Sequence, residues 1–305
     1  MRHSFMLGLA CAVAAAPALA ATLQVGPGRT YRTPSAAIAA AGNGDVIDIA
    51  PGTYFDCATV RQDNLTIQGS GSGAVLTDKT CGGKALLVID GNDDTVRNLT
   101  LQRARVADGN GAGIRAEGGN LTVDGVRFVN NQDGILTAEN PQATLRVVGS
   151  QFIDNGTCQA ACAHAIYAGK IAALEVDGSQ FIGTKEGHSI KSRALRTVVR
   201  GCVIEDGPLG TSSYLIDIPN GGTLIATGNR MEKGPKTGNQ ANAIMIGEEG
   251  VDQPTDEITV SHNFFKNDQD RPTTFVHNIT ATPAQLTGNH FSGQVRPLEG
   301  DGSSG

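Results

Sequence analysis

Short stretches in which apolar and polar residues alternate run along the chain, and seven of them share one pattern. They are NLTVDGVRF (120–128), TLRVVGSQF (144–152), ALEVDGSQF (173–181), RTVVRGCVI (196–204), TLIATGNRM (223–231), EITVSHNFF (257–265) and PAQLTGNHF (283–291). Each has alternating apolar residues, a small or polar turn, and a closing apolar residue. Alternation of period two marks a strand with one buried face. The closing residues Phe128, Phe152, Phe181, Ile204, Met231, Phe265 and Phe291 are separated by 24, 29, 23, 27, 34 and 26 positions. Such a period predicts one structural unit recurring along an axis. A leucine-rich repeat would need a Leu/Asn frame and a helix on each turn, and neither is present. The units carry two or three β-patterned runs with no helix between them, so the predicted fold is all-β, a parallel β-helix with an inward apolar stack.

The ends of such a stack expose unpaired strand edges and must be covered. PSAAIAAAGNGD (34–45) predicts a short Ala-rich helix capping the first coil, and VIDIAPGTY (46–54) the first core strand with its turn. This opening, TPSAAIAAA followed by GDVIDIAPGTY and then irregular coils, resembles the right-handed parallel β-helix proteins of the pectin-lyase-like superfamily. The resemblance covers about residues 22–292. It implies the fold and leaves the reaction open, because that superfamily holds lyases, hydrolases, esterases, epimerases, adhesins and phage tailspikes. NLT recurs at Asn64, Asn98 and Asn120, locked to the repeat, so these asparagines are expected to make turns before strands rather than to serve as glycosylation acceptors.

Composition narrows the class. With 39% hydrophobic and 18% charged residues the chain is too apolar for disorder, and its 40 glycines have no three-residue period, which excludes collagen. Residues 1–20 read as a secretory signal: Arg2 and His3, an apolar run from Phe5 to Ala16, then Ala18-Leu19-Ala20 at the cleavage site. Expected organisation is therefore a signal peptide (1–20), a β-helix domain with its cap (21–295) and a flexible tail (296–305). Beyond the signal no apolar stretch is long enough to span a membrane. Loss of the signal removes Arg2 alone among charged residues, leaving 23 basic against 30 acidic side chains, or −7. No basic surplus exists to replace counterions around a nucleic acid. Of the remaining cysteines, disulfides Cys57–Cys81 and Cys158–Cys162 fit an oxidising compartment, secreted or periplasmic, with Cys202 as a small core residue. A zinc site at CQAAC with His164 is the weaker reading, since no second ligand pair stands nearby. A monomer is expected.

Chemistry must come from one outward face. The strands GIRAE (113–117), GILTA (134–138), HAIYAG (164–169), HSIKSRA (188–194), YLIDIPNGG (214–222), AIMIGEE (243–249) and TFVHN (274–278) align on Ile114, Ile135, Ile166, Ile190, Ile216, Ile244 and Val276 as the inward column. The next residue of each then points outward: Arg115, Leu136, Tyr167, Lys191, Asp217, Met245 and His277. Tyr167, Lys191 and Asp217 should project from three consecutive turns ~4.8 Å apart. Arg193 shares their parity, while His164, His188, Ser189 and Ser192 lie alongside. The loops IPNGG and GEEG, the latter carrying Glu248, are expected to wall a groove. An isolated, solvated Lys191–Asp217 pair, worth ~0–1 kcal/mol, is the structural alternative.

A groove along stacked strands suits a chain of sugars, and the expected partner is a polysaccharide or oligosaccharide. Cleavage of a uronate polymer by β-elimination needs a cation for the carboxylate, a base for the neighbouring C–H, and an acid for the leaving oxygen. Arg193 is the candidate cation, Lys191 or His188 the base, Tyr167 the acid. An ammonium cannot accept a proton, so a close Asp217 disfavours Lys191 and favours His188. A C5-epimerase would share the first step. Hydrolysis instead needs two carboxyl groups ~5–9.5 Å apart, with Asp217 as one and Glu186 or Glu248 as the other. GHSIKS (187–192) resembles the GHG-and-RIK region of polygalacturonase-type β-helix hydrolases, but the paired aspartates of that pattern are missing. A glycan-binding or structural solenoid is the non-enzymatic alternative. No cofactor is required; calcium is a weak expectation at DGNGAG (108–113) and GNDD (91–94), which read better as turns. Lys170, Lys185, Lys191, Arg193, Arg196 and Arg200 make one basic segment that would attract an anionic chain if they shared the groove.

Overall fold

The computed structural model describes residues 20–159 and 161–305, so the expected signal segment lies outside the described residues except for Ala20. Parallel strands stack into a solenoid with three walls, one of twelve strands and two of ten. The aligned closing residues form one continuous column, Phe128 to Phe152, Phe181, Ile204, Met231, Phe265 and Phe291, each paired in register with the next. Within it the rings of Phe128, Phe152 and Phe181 stack at centroid distances of 4.6 Å. The repeat period survives uneven spacing because extra residues go into turns, while each strand returns to the same rung.

Buried asparagines and serines complete the interior at one corner. Asn229 Oδ1 accepts the Cys202 N–H, Asn263 Oδ1 accepts the Asn229 N–H, and Asn289 Oδ1 accepts the Asn263 N–H. These three turn amides thus each find an acceptor one coil further on, which avoids the cost of an unpaired group. Cys202 occupies one step of this ladder and is buried, as expected of a core residue. Asn64 and Asn98 take φ of 58° and 55° before their strands, the turn role expected of them. Asn120 works through its side chain, accepting the Thr144 N–H at 2.9 Å.

The helix Pro34–Ala40 caps the first coil, ending sooner than its Ala-rich sequence suggested. Thr33 caps its N-terminus and Ser35 is tied to Asp56, while Ala37 and Ile38 bury against the core. Both expected disulfides are present. The Cys158–Cys162 bond closes a small antiparallel hairpin, and His164 uses its Nδ1 for the His188 N–H, so the zinc alternative at CQAAC is excluded. At the far end the residues expected as a loose tail are paired instead. Val295–Gly300 extends one wall and Gly302–Ser304 another, because the last coil still offers open strand edges that they can cover.

Candidate functional site

The site lies on the ten-stranded wall built from Ile166–Ala168, Ile190–Ser192 and Ile216–Ile218. The inward column runs through Ile114, Ile135, Ile166, Ile190, Ile216, Ile244 and Val276 in register, and all seven are fully buried. Alternation therefore sets Arg115, Leu136, Tyr167, Lys191, Asp217, Met245 and His277 in one column on the other face. Tyr167, Lys191 and Asp217 are immediate neighbours in it.

These groups are not simply solvated. Asp217 is 0% exposed and Lys191 7% exposed. Lys191 Nζ lies 3.4 Å from Asp217 Oδ2 and 2.6 Å from Glu249 Oε1. Held between two carboxylates, it is placed as a bound cation rather than as a base. Burial pushes the Asp217 carboxyl up to about 7, against the opposing pull of Lys191. Arg193 donates from Nε to Tyr167 Oη at 2.9 Å, from Nη1 to Asn220 Oδ1 and from Nη2 to Glu249 Oε2. Its guanidinium carbon and Lys191 Nζ lie 5.7 and 5.8 Å from the centre of the Tyr167 ring.

A second column runs beside the first. Asp133 Oδ1 accepts the His164 N–H, His164 Nδ1 accepts the His188 N–H, and His188 Nδ1 accepts the Tyr214 N–H. The rings of His164, His188 and Tyr214 stack at 4.7 and 5.0 Å. Burial, with the cations of Lys191 and Lys233, lowers His188 to about 3, so the ring is neutral. Burial, then His188 and the cations of Lys191 and Arg193, likewise holds His164 well below the usual range. Since Nδ1 of His188 is an acceptor, its single proton sits on Nε2, which faces Asp217 Oδ2 at 3.4 Å. With Nδ1 engaged by the Tyr214 N–H and the proton on Nε2, His188 has no free ring nitrogen for the base role expected from the sequence, and its approach to Asp217 makes no hydrogen bond.

Other expected contacts divide. Glu248 accepts from Tyr214 Oη at 2.7 Å and belongs to the site. Met245 follows Asp217 in register and is buried, and His277 lies a further coil away, 3.9 Å from Glu299 Oε1. Ser189 and Ser192 are buried with their hydroxyls engaged by Thr184 and Thr197, so neither offers a group to the groove. His164 is likewise enclosed by stacking. Glu186 turns to the disulfide hairpin, accepting the Cys158 N–H. The basic segment does not gather: Lys170 pairs with Asp252, Lys185 with Asp154 and Arg200 with Asp177, and Arg196 stands in a different wall.

Sequence reasoning missed Tyr214, Asn220 and Glu249. Tyr214 stands two positions before Ile216, as His164 and His188 stand before Ile166 and Ile190, so the alignment already held it. Glu249 was invisible because its loop folds back over earlier coils. Gly247 starts that loop at φ 91°, where an added Cβ would press on Val251 and Thr280. Glu249 N–H then bonds Pro219 O, and the Asp252 and Gln253 amides bond Asn220 O. Burial raises the Glu249 carboxyl, but hydrogen bonds from Lys191 and Arg193 outweigh it and the net displacement is downward.

Carboxylate oxygens of Asp217, Glu248 and Glu249 lie within 4.8 Å of one another. Lys191 and Arg193 compensate Glu249 and Tyr214 donates to Glu248, while both carboxyl oxygens of Asp217 lie buried with no hydrogen bond among the described residues. Among the described residues no helix is long and apolar enough to cross a membrane.

No protein-family profile matches the chain, and no curated protein matches it in sequence. Solved structures do resemble it. An alginate lyase from Paenibacillus aligns over 93% of this chain and 99% of its own at 16% identity, with a TM-score of 0.59. The deglycosylated pectin methylesterase of Aspergillus niger aligns over 94% and 92% at 11% identity, with a TM-score of 0.50. Stacked parallel coils, a capping helix and this likeness together give the chain the fold of the pectin-lyase-like right-handed parallel β-helix proteins.

Proposed function

We propose that this protein is an exported, carbohydrate-active enzyme that cleaves a uronate-containing polysaccharide by proton abstraction and β-elimination. The observation that carries this reading is the Tyr167–Arg193–Lys191 cluster: a phenol oxygen held by a guanidinium N–H beside a second cation, all on one wall. Lys191 and Arg193 receive the sugar carboxylate, which draws electron density from the adjacent C–H bond and makes it acidic. The reacting form of Tyr167 must be the deprotonated one, its oxygen held by the Arg193 Nε–H, and it takes that proton. The C–H electron pair becomes the new C=C bond as the glycosidic C–O bond on the next carbon breaks. The phenol then hands its proton to the departing oxygen, so no water is consumed. Asp217, beside Lys191 on the next coil at 3.4 Å, positions it, with His188 Nε2 3.4 Å from the same Asp217 oxygen. Two disulfides agree with action outside a reducing compartment.

Geometry speaks against hydrolysis by Asp217. Its carboxyl is fully buried beside Lys191 on the next coil, and the nearest carboxylates crowd it, within 4.8 Å, rather than facing it across a sugar. Epimerisation shares the proton abstraction and differs in the face on which the proton returns. The test is incubation with a panel of polyuronates, following the ultraviolet absorbance of conjugated unsaturated ends alongside a reducing-end assay. Both signals together are expected. Reducing ends alone would replace the proposal with hydrolysis, a stereochemical change seen by NMR without cleavage would make it an epimerase, and binding without either would leave a glycan-binding module.

A further inference from the structure

We infer that Glu249 is a built-in substitute for the substrate carboxylate, occupying the acid-binding position until a sugar acid displaces it. The inference rests on the cationic site proposed above and adds how that site is kept in the free protein. Glu249 divides its two oxygens between the two cations, Oε1 toward Lys191 and Oε2 toward Arg193. A planar carboxylate bridging an ammonium and a guanidinium is the arrangement a uronate would adopt there. The two cations come from one strand and its following turn, whereas Glu249 reaches them from 58 and 56 residues further along the chain.

Exposure separates the partners. The Lys191 and Arg193 side chains are 9% and 18% exposed, while that of Glu249 is 39% exposed and lies on the solvent side of the pair. Its loop is held by backbone bonds to Pro219 and Asn220, by Asn220 Nδ2 to Gly250 O, and by Gln253 to Arg193 O. None of these uses the Glu249 carboxylate, so its side chain can swing away while the loop stays in place. Without Glu249 the buried Lys191 would keep only Asp217 as a counter-charge and the half-buried Arg193 would have none among the described residues, and a resident carboxylate offsets that until the ligand arrives. An incoming acid then sees only the fraction of molecules in which Glu249 has moved, and its apparent affinity is reduced by that fraction.

The experiment is calorimetric binding of saturated mannuronate, guluronate and galacturonate oligomers, each with a carboxyl-reduced counterpart, in a Tyr167→Phe background that prevents turnover. Glu249→Gln is expected to tighten binding of an acidic oligomer by about fivefold or more and to leave the reduced oligomer unchanged. Asp252→Asn removes a charge from the same loop, where Asp252 pairs with Lys170, and is expected to bind like its parent. Equal or weaker binding by Glu249→Gln, or equal tightening by Asp252→Asn, overturns the inference. If the unsubstituted protein still produces unsaturated ends, the proposed reaction survives that result. Failure of every form to bind any acidic oligomer, with no cleavage, removes both.

Discussion

Tyr167 is the residue on which the proposed chemistry turns, because the other two candidate bases are spoken for. The Nδ1 of His188 is occupied by the Tyr214 N–H, and Lys191 is clamped by two carboxylates. Tyr167→Phe keeps the ring under the cations and removes only the oxygen. Turnover is expected to fall by ~10²–10⁴-fold, with oligomer binding retained, as read by initial rates and calorimetry. A loss of binding equal to the loss of rate would assign Tyr167 to substrate positioning instead.

Asp133 gives a separate prediction at this scale. Burial pushes its carboxyl up to about 8 although the His164 N–H pulls the other way. Unfolded, it would ionise near ~3.9. Between those values the folded chain holds a proton that the unfolded chain has released, so this group makes stability fall as pH rises from about 4 to about 8. Asn cannot ionise and still offers Oδ1 to the His164 N–H. Thermal melts at about pH 5 and pH 9 should therefore show a smaller decline for Asp133→Asn than for the parent. The neutral histidines destabilise the acid side through charging of the unfolded chain, but equally in both proteins. An unchanged decline would mean that Asp133 is ionised in the fold.

At the scale of the element, the phenylalanine column sets register. Phe152 is fully buried between two parallel rings, each 4.6 Å away. Phe152→Ala is expected to cost about 3–5 kcal/mol in denaturant unfolding, through lost burial and a cavity that the stiff coils cannot close. A cost below ~1 kcal/mol would show that neighbouring coils relax into the space. The seven rungs were legible because alternation and a common closing residue survive any turn length. Turn lengths were also what hid the site's outer layer. Nothing local in GEEG says that Glu249 points back over two earlier coils, and nothing in HSIKS says that its serines close on Thr184 and Thr197.

Across the whole molecule, strand pairing along each wall joins a coil only to the next, the returning loop that carries Glu249 and Asp252 apart, so a staple acts chiefly where it is placed. Cys57 and Cys81 close 24 residues near the capped end. Replacing both by Ala is expected to lower stability by about 3 kcal/mol on chain-entropy grounds. Hydrogen exchange should then show early loss of protection in residues 22–104 while the coils beyond keep theirs. Uniform loss along the axis would instead indicate that the solenoid unfolds as one cooperative unit.

The solenoid, its capping helix, both disulfides and the adjacency of Tyr167, Lys191 and Asp217 were all readable from the chain itself. Each depends on periodicity or spacing, which geometry converts directly into position: side chains alternate, and rungs repeat. Which of those groups carries a proton, and which is already neutralised, was decided only by folding. Burial of Asp217, the hydrogen bond that commits His188 Nδ1, and the carboxylate that Glu249 lays across Lys191 and Arg193 all arise from contacts between residues far apart in sequence. Charge state depends on such surroundings, and no linear pattern records them.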